Sequence, residues 1–317
     1  MRVDLNGLIV PLVTPFHEDE SLDEETLRRL CARLVLSGVQ GLFPIGSTGE
    51  FYALKHFERR RILKIVIDES RGRVPVFAGI SAIDTGLAAE FAREAEDLGA
   101  NAVVALTPFY IQPSQEEVYQ HFRTIAEATT LPVLAYNNPI RTHVNIEPKT
   151  LARLSVLQNF IGIKDSSGDL SQLAEYLRLT SNEFSVLQGQ DALLFDSLAL
   201  GVSGGVLATA NIAPDLVVGL YRAFVAGDTE ACKQAQQKVG ILRNAIQLAT
   251  FPVVFKEAMS MVGFPVGPAR RPASALDEQT REELRKTIED IGLLPSSDGE
   301  GAILPMPYAV KSSGDLS

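Results

Sequence analysis

The chain has few of the residues that would mark a disulfide scaffold, a metal centre or a nucleic-acid binder. Only two cysteines occur, Cys31 and Cys232, in stretches that read as helices and without paired spacing. That excludes a disulfide framework or a cysteine-built zinc site, and both read as small buried apolar side chains. The four histidines, His17, His56, His121 and His143, are scattered with no helical pair, so no metal is expected in the mechanism. Positive charge is scarce too: 29 Lys and Arg against 39 Asp and Glu give a formal charge of −10 and a pI near 5.0. No Lys/Arg-rich run offsets that balance, which argues against nucleic acid as a partner, because phosphate recognition needs a basic face. Long apolar runs are also absent. The stretch at residues 7–13 is broken by Pro11 and falls well short of the ~20 residues that a membrane helix requires. No membrane association and a cytoplasmic location are therefore expected.

What is present is ordinary for a globular enzyme: 46% hydrophobic and 21% charged residues over 317 positions. That length suits one large α/β unit with additions. Short apolar runs bounded by Gly, Pro, Asn or Asp alternate with longer amphipathic ones, as when buried parallel strands are joined by crossover helices. Eight strands are predicted, at residues 7–13, 41–45, 74–79, 102–107, 132–137, 160–165, 184–189 and 204–209. Helices are predicted between them at 23–36, 56–69, 84–98, 114–128, 147–157, 170–179, 191–200 and 214–226. In the first of these, Leu27, Leu30, Cys31 and Leu34 share one face, acidic residues fill the opening turn and Gly38 stops the helix. Eight repeats of strand and helix favour a closed (β/α)8 TIM barrel over an open doubly wound sheet. The latter usually has fewer strands and, for dinucleotides, a glycine fingerprint after the first strand, which is missing here. Three further helical patterns, at 229–248, 254–262 and 277–291, predict a C-terminal helical appendage. The chain thus divides into a barrel at 1–226, C-terminal helices at 227–294 and a mobile tail rich in Ser, Gly and Pro at 295–317. No internal repeat appears beyond the strand-helix alternation.

In such a barrel the chemistry belongs to the loops at the carboxyl ends of the strands. Three segments there are polar: Gly46-Ser47-Thr48-Gly49-Glu50, Tyr136-Asn137-Asn138-Pro139 and Gly162-Ile163-Lys164-Asp165. Lys164 is the most informative residue, because it ends an apolar strand. Strand alternation puts Ile161 and Ile163 on the face opposite it. If those isoleucines meet the outer helices, Lys164 points into the barrel, where desolvation lowers an amine's pKa from about 10.4. A neutral amine attacks a ketone, and the resulting protonated imine is an electron sink for making or breaking a carbon–carbon bond. The competing reading has Lys164 snorkelling to solvent or paired with Asp165. Lys256, in an apolar stretch read as helical beyond the eighth unit, is a rival that reads as structural. The Gly-Ser-Thr-Gly-Glu turn can offer hydroxyls and backbone N–H groups to a small anion, or it can be a tight turn with no ligand. Tyr136 can shuttle protons or be a buried phenol with a satisfied hydroxyl, and Arg141 can clamp a carboxylate or sit on the surface.

Taken together, these segments resemble the dihydrodipicolinate synthase and N-acetylneuraminate lyase family, from Gly7 to about Leu294. The pieces that carry the resemblance are Pro11-Leu12-Val13-Thr14-Pro15-Phe16, Gly46-Ser47-Thr48-Gly49-Glu50, Thr107-Pro108-Phe109-Tyr110, Tyr136-Asn137-Asn138-Pro139, Gly162-Ile163-Lys164-Asp165 and Thr209-Ala210-Asn211. The resemblance implies a class I aldolase-type lyase with a covalent pyruvate imine on Lys164 and no other cofactor. It implies Tyr136 as proton donor and acceptor, and Thr48 linking Tyr136 to a Tyr110 that reaches into the neighbouring subunit's site of a homodimer or homotetramer. Ser47 and Thr48 would hold the pyruvate carboxylate, with Gly189 and Val206 lining the pocket. Arg141 stands where the synthases hold the carboxylate of L-aspartate 4-semialdehyde, so the implied reaction is its condensation with pyruvate to 4-hydroxy-tetrahydrodipicolinate, on the route to diaminopimelate and lysine. The alternative within the family is an aldolase or dehydratase acting on a 2-keto-3-deoxy sugar acid. Two departures bear on that choice: Ser47 replaces the threonine more usual in synthases, and His143 replaces a glycine. Tyr52 and Phe109 replace the polar residues of a feedback lysine site, so inhibition by lysine is not expected.

Overall fold

The computed structural model describes residues 3–294, so the tail expected at 295–317 lies outside the described residues. Eight parallel strands are laid down in the order the apolar runs predict: β1 (Gly7–Pro11), β2 (Gly41–Phe43), β3 (Phe77–Gly79), β4 (Ala102–Leu106), β5 (Val133–Asn137), β6 (Phe160–Asp165), β7 (Ser185–Gln188) and β8 (Gly204–Val206). Hydrogen-bonded ladders connect them as β2-β1-β8-β7-β6-β5-β4-β3. The ring closes between β2 and β3 through the Leu42–Val76 bridge, with Leu42 N–H donating to Pro75 O at 3.0 Å. This is a TIM barrel. Nearly every strand residue is buried, as expected for strands covered on both faces.

Helices α1 (Glu24–Ser37), α2 (His56–Ser70), α3 (Thr85–Leu98), α4 (Gln115–Glu127), α5 (Pro139–Thr142), α6 (Pro148–Leu154), α7 (Leu170–Leu179), α8 (Leu194–Leu200) and α9 (Pro214–Val225) surround it. Local chemistry sets their ends. The Asp23 carboxylate accepts from Thr26 N–H at 2.9 Å, satisfying one of the first-turn donors of α1, and Gly38 ends the helix in the left-handed conformation. The apolar stripe between, from Leu27 through Leu30 and Cys31 to Leu34, is buried as the spacing predicts. Ser114 and Glu117 cap α4 reciprocally. Three helices follow the barrel, α10 (Thr229–Ala245), α11 (Val253–Met261) and α12 (Glu278–Asp290), with α10 packed along α9.

Two of the differences from the sequence-based expectation lie at strand ends that side chains from elsewhere cut short. The eighth strand, expected to run to residue 209, stops at Val206 and becomes a 3-10 turn over Ala208–Asn211. There the Asp191 carboxylate takes both the N–H and the hydroxyl of Thr209, at 2.8 and 2.6 Å. Asn211 Nδ2 donates to Pro11 O and Ala208 O while its Oδ1 accepts from Val13 N–H, which also ends β1 early. The helix expected at 191–200 opens as a 3-10 turn over Asp191–Leu193, and α5 lies where a loop was expected.

Candidate active site

Lys164 ends β6, and the register sets it beside Tyr136 of β5 and Leu187 of β7. Ile163 is buried on the opposite face, so the alternation turns the lysine inward; only 5% of Lys164 remains exposed. Its Nζ lies 4.0 Å from the centre of the Tyr136 ring and 5.5 Å from that of Phe43. Asp165 points away and does not pair with it. That carboxylate accepts from Asn137 Nδ2 at 2.8 Å and Ser167 Oγ at 2.6 Å, and burial lifts its pKa despite both bonds. Lys256, the rival, has its Nζ committed to Glu50 and to Pro268 O, both at 2.7 Å. Burial pushes its ammonium down to about 8 against the pull of Glu50. Among the described residues Lys164 Nζ has no such partner.

Tyr136 is buried, and its hydroxyl accepts from Asn138 Nδ2 at 2.9 Å. Burial alone would raise its pKa; the Lys164 charge, with Asn138, Ser166 and Ser47, outweighs that and holds the phenol below its ordinary value. Ser166 Oγ contributes by proximity, since it meets no partner at hydrogen-bonding geometry. Gly189 follows β7 beside this group. A Cβ there would overlap Ser166 Oγ and lie 3.0 Å from Lys164 Cε, so the absent side chain is what leaves the lysine its path. Val206 ends β8, buried and paired with Ile9.

The Gly46–Glu50 turn is folded tightly: Gly46 O accepts from Gly49 N–H at 3.0 Å and Ser47 O from Glu50 N–H at 3.2 Å. Ile45 and Glu50, at its two ends, both have positive φ, 63° and 55°. Thr48 is buried, yet no hydrogen bond within the described chain joins it to Tyr136 or Tyr110. Tyr110 is 93% exposed with φ 74°. Arg141 lies in α5 with its guanidinium 4.3 Å from the centre of the Phe251 ring, exposed and, among the described residues, unpaired with any carboxylate. The structure thus gathers Lys164, Tyr136, Ser47 and Gly189, with Arg141 and Tyr110 at the surface. Sequence reasoning passed over Asn138 and Ser166 as individual side chains, although both adjoin quoted motif residues; only a fold shows that Ser166 turns back toward Tyr136.

Comparison with known proteins points to one family. A 4-hydroxy-tetrahydrodipicolinate synthase from Methanopyrus kandleri is 39% identical over 297 residues, spanning 93% of this chain and 99% of the relative. The solved dihydrodipicolinate synthase DapA-2 of Bacillus anthracis superposes with a TM-score of 0.89 at 32% identity, covering 91% of this chain and 99% of that one. A structure described as the first monomeric dihydrodipicolinate synthase variant matches with a TM-score of 0.88 at 33% identity, over 91% and 97% of the two chains. The sequence pattern of the dihydrodipicolinate synthetase family matches residues 4–291, so the chain belongs to that family.

Proposed function

We propose that this protein is a class I aldolase-type lyase that condenses pyruvate with L-aspartate 4-semialdehyde to 4-hydroxy-tetrahydrodipicolinate. The observation that carries the reading is the Lys164 amine, inside the barrel, uncommitted to any carboxylate and against the Tyr136 ring. Relatives at 38–39% identity that bear the name 4-hydroxy-tetrahydrodipicolinate synthase support it.

In this reading neutral Lys164 attacks the keto carbon of pyruvate, and Tyr136 delivers the proton with which the carbinolamine oxygen leaves as water. The protonated imine withdraws electrons from the adjacent methyl, which gives a proton to the Tyr136 phenolate and becomes an enamine carbon. That carbon attacks the aldehyde, and Tyr136 protonates the new alkoxide. The amine of the second substrate then displaces Lys164 from the imine carbon, closing the ring and freeing the enzyme. Ser47 and Thr48 hold the pyruvate carboxylate, Gly189 and Val206 shape the pocket, and Arg141 at the mouth takes the carboxylate of the aldehyde substrate. Thr48 passes protons between Tyr136 and a Tyr110 supplied by the neighbouring subunit. The exposure of Tyr110, with Tyr52 and Ile111 also exposed, supports a homodimer or homotetramer, although one similar structure is of a monomeric variant. Among the described residues no helix is long and apolar enough to cross a membrane, and we place the enzyme in the cytoplasm.

Borohydride reduction in the presence of pyruvate tests the reading. The peptide containing Lys164 should gain the mass of pyruvate less one oxygen atom; an unmodified Lys164 would sink the proposal. Arg141→Ala should lower kcat/KM for aspartate semialdehyde by ~10²-fold while leaving pyruvate labelling intact. If a sugar-derived aldehyde is the better substrate of the unmodified enzyme, the chain is a sugar-acid lyase instead.

A further inference from the structure

The best-buried ion pair among the described residues does not belong to the reacting group. It joins Glu50, the last residue of the active-site turn and 1% exposed by its side chain, to Lys256 of α11, 2% exposed, at 2.7 Å. The other carboxylate oxygen accepts from Arg270 N–H at 2.9 Å, so both oxygens of Glu50 are held from the C-terminal segment. That segment is itself locked to the barrel. Lys256 Nζ donates to Pro268 O and lies 4.3 Å from the centre of the Phe16 ring, while the Arg270 guanidinium stacks 4.2 Å from the same ring. Arg270 also donates to Ala53 O at 2.7 Å and pairs with Glu58 at 2.5 Å. A Cβ on Gly267 would overlap Phe16 O, so the two backbones touch where the chain crosses the barrel's first loop. On the barrel side, Thr14 Oγ1 donates to Gly49 O at 2.7 Å.

A buried ion pair contributes little stability over a well-packed apolar pair, because desolvating both charges offsets their attraction. What it supplies here is geometry and charge at one place. Glu50 sits in the left-handed region, a conformation that a residue with a Cβ keeps only when its surroundings impose it. It is two residues from Thr48, where the anionic substrate would bind, and an uncompensated carboxylate there would oppose that anion. We propose that Glu50 and Lys256 are positioning residues: through this pair, helix α11 holds the Ser47–Thr48 turn in its anion-receiving shape and cancels the turn's own negative charge. The proposal rests on the pyruvate-imine reading.

The test measures how much pyruvate is needed for half-maximal borohydride labelling of Lys164 in the full chain. Lys256→Met should raise that concentration by about tenfold or more, with full labelling still reached at saturation. Lys256→Arg should recover part of the loss, which a simple packing defect would not. Lys256→Gln also removes the charge but keeps a donor for Pro268 O, and it serves as the second probe if the Met variant does not fold; it should raise the concentration by a similar factor. A folded Lys256→Met, or in its absence a folded Lys256→Gln, that labels at the unmodified enzyme's pyruvate concentration overturns the proposal. Failure of the unmodified enzyme to label at all would instead strike the imine reading on which it rests.

Discussion

At the scale of single residues, the site is made by what surrounds Lys164 more than by the lysine itself. Tyr136 carries its depressed pKa only because Lys164 and three polar neighbours outweigh its burial. Replacing it with Phe removes the proposed proton carrier and little volume. Tyr136→Phe should lower kcat by ~10²- to 10⁴-fold, the range for loss of a general acid–base, with circular dichroism unchanged. Gly189→Ala should be nearly as harmful by a different route, since its methyl would collide with Ser166 Oγ and crowd Lys164 Cε. The expected readout is slow imine formation in stopped-flow trapping together with a lower Tm, because the methyl would also lie 2.9 Å from the backbone Asp165 O. His143 offers a contrasting case. It stands where the resembling family has glycine and adopts φ 57°, so His143→Gly should relieve left-handed strain and raise the urea midpoint by about 0.5–1 kcal/mol of stability.

Helices and strands raise a different question, how local signals and tertiary contacts divide the work. The start of α1 was legible because Asp23, two acidic residues and a four-position apolar stripe agree on it. Asp23→Ala should cost about 1 kcal/mol in chemical denaturation, the usual loss of an N-cap. The ends of β8 and β1 were not legible, because Asp191 and Asn211 cut those strands from positions whose proximity no local pattern encodes. Helix α4 carries a pH liability of the same tertiary origin. His121 packs inward with Nδ1 2.9 Å from Thr85 Oγ1 and Nε2 without a partner, and burial pushes its pKa from 6.5 down to about 4. Below pH 6.5 the unfolded chain takes up a proton that the folded chain refuses. The stabilisation is therefore complete above pH 6.5 and is lost as pH falls toward 4, in total about 3 kcal/mol. Urea titrations at several pH values should show that slope, and His121→Gln should flatten it.

On the scale of the whole molecule, the exposed Tyr110 turns the proposed relay into a statement about assembly. If its hydroxyl serves the neighbouring subunit, two inactive variants should complement each other. Lys164→Met mixed with Tyr110→Phe, after dissociation and reassociation, should recover about a quarter of normal activity through one working site in each mixed dimer. No recovery would place Tyr110 in its own subunit's site or outside the mechanism. By itself the sequence determined the strand-helix alternation and the count of eight, since each depends on periodicity over neighbouring residues; it left Lys164 facing either inward or to solvent, and its burial in the closed barrel decided that. It also carried the family motifs, because these are contiguous. Tertiary structure alone decided that Asp165 faces away from Lys164, that Ser166 reaches Tyr136, and that Glu50 is answered by Lys256 across more than two hundred residues. Those are choices of partner in space, and a buried charge is free to take its partner from any element that the closed barrel brings to the same end.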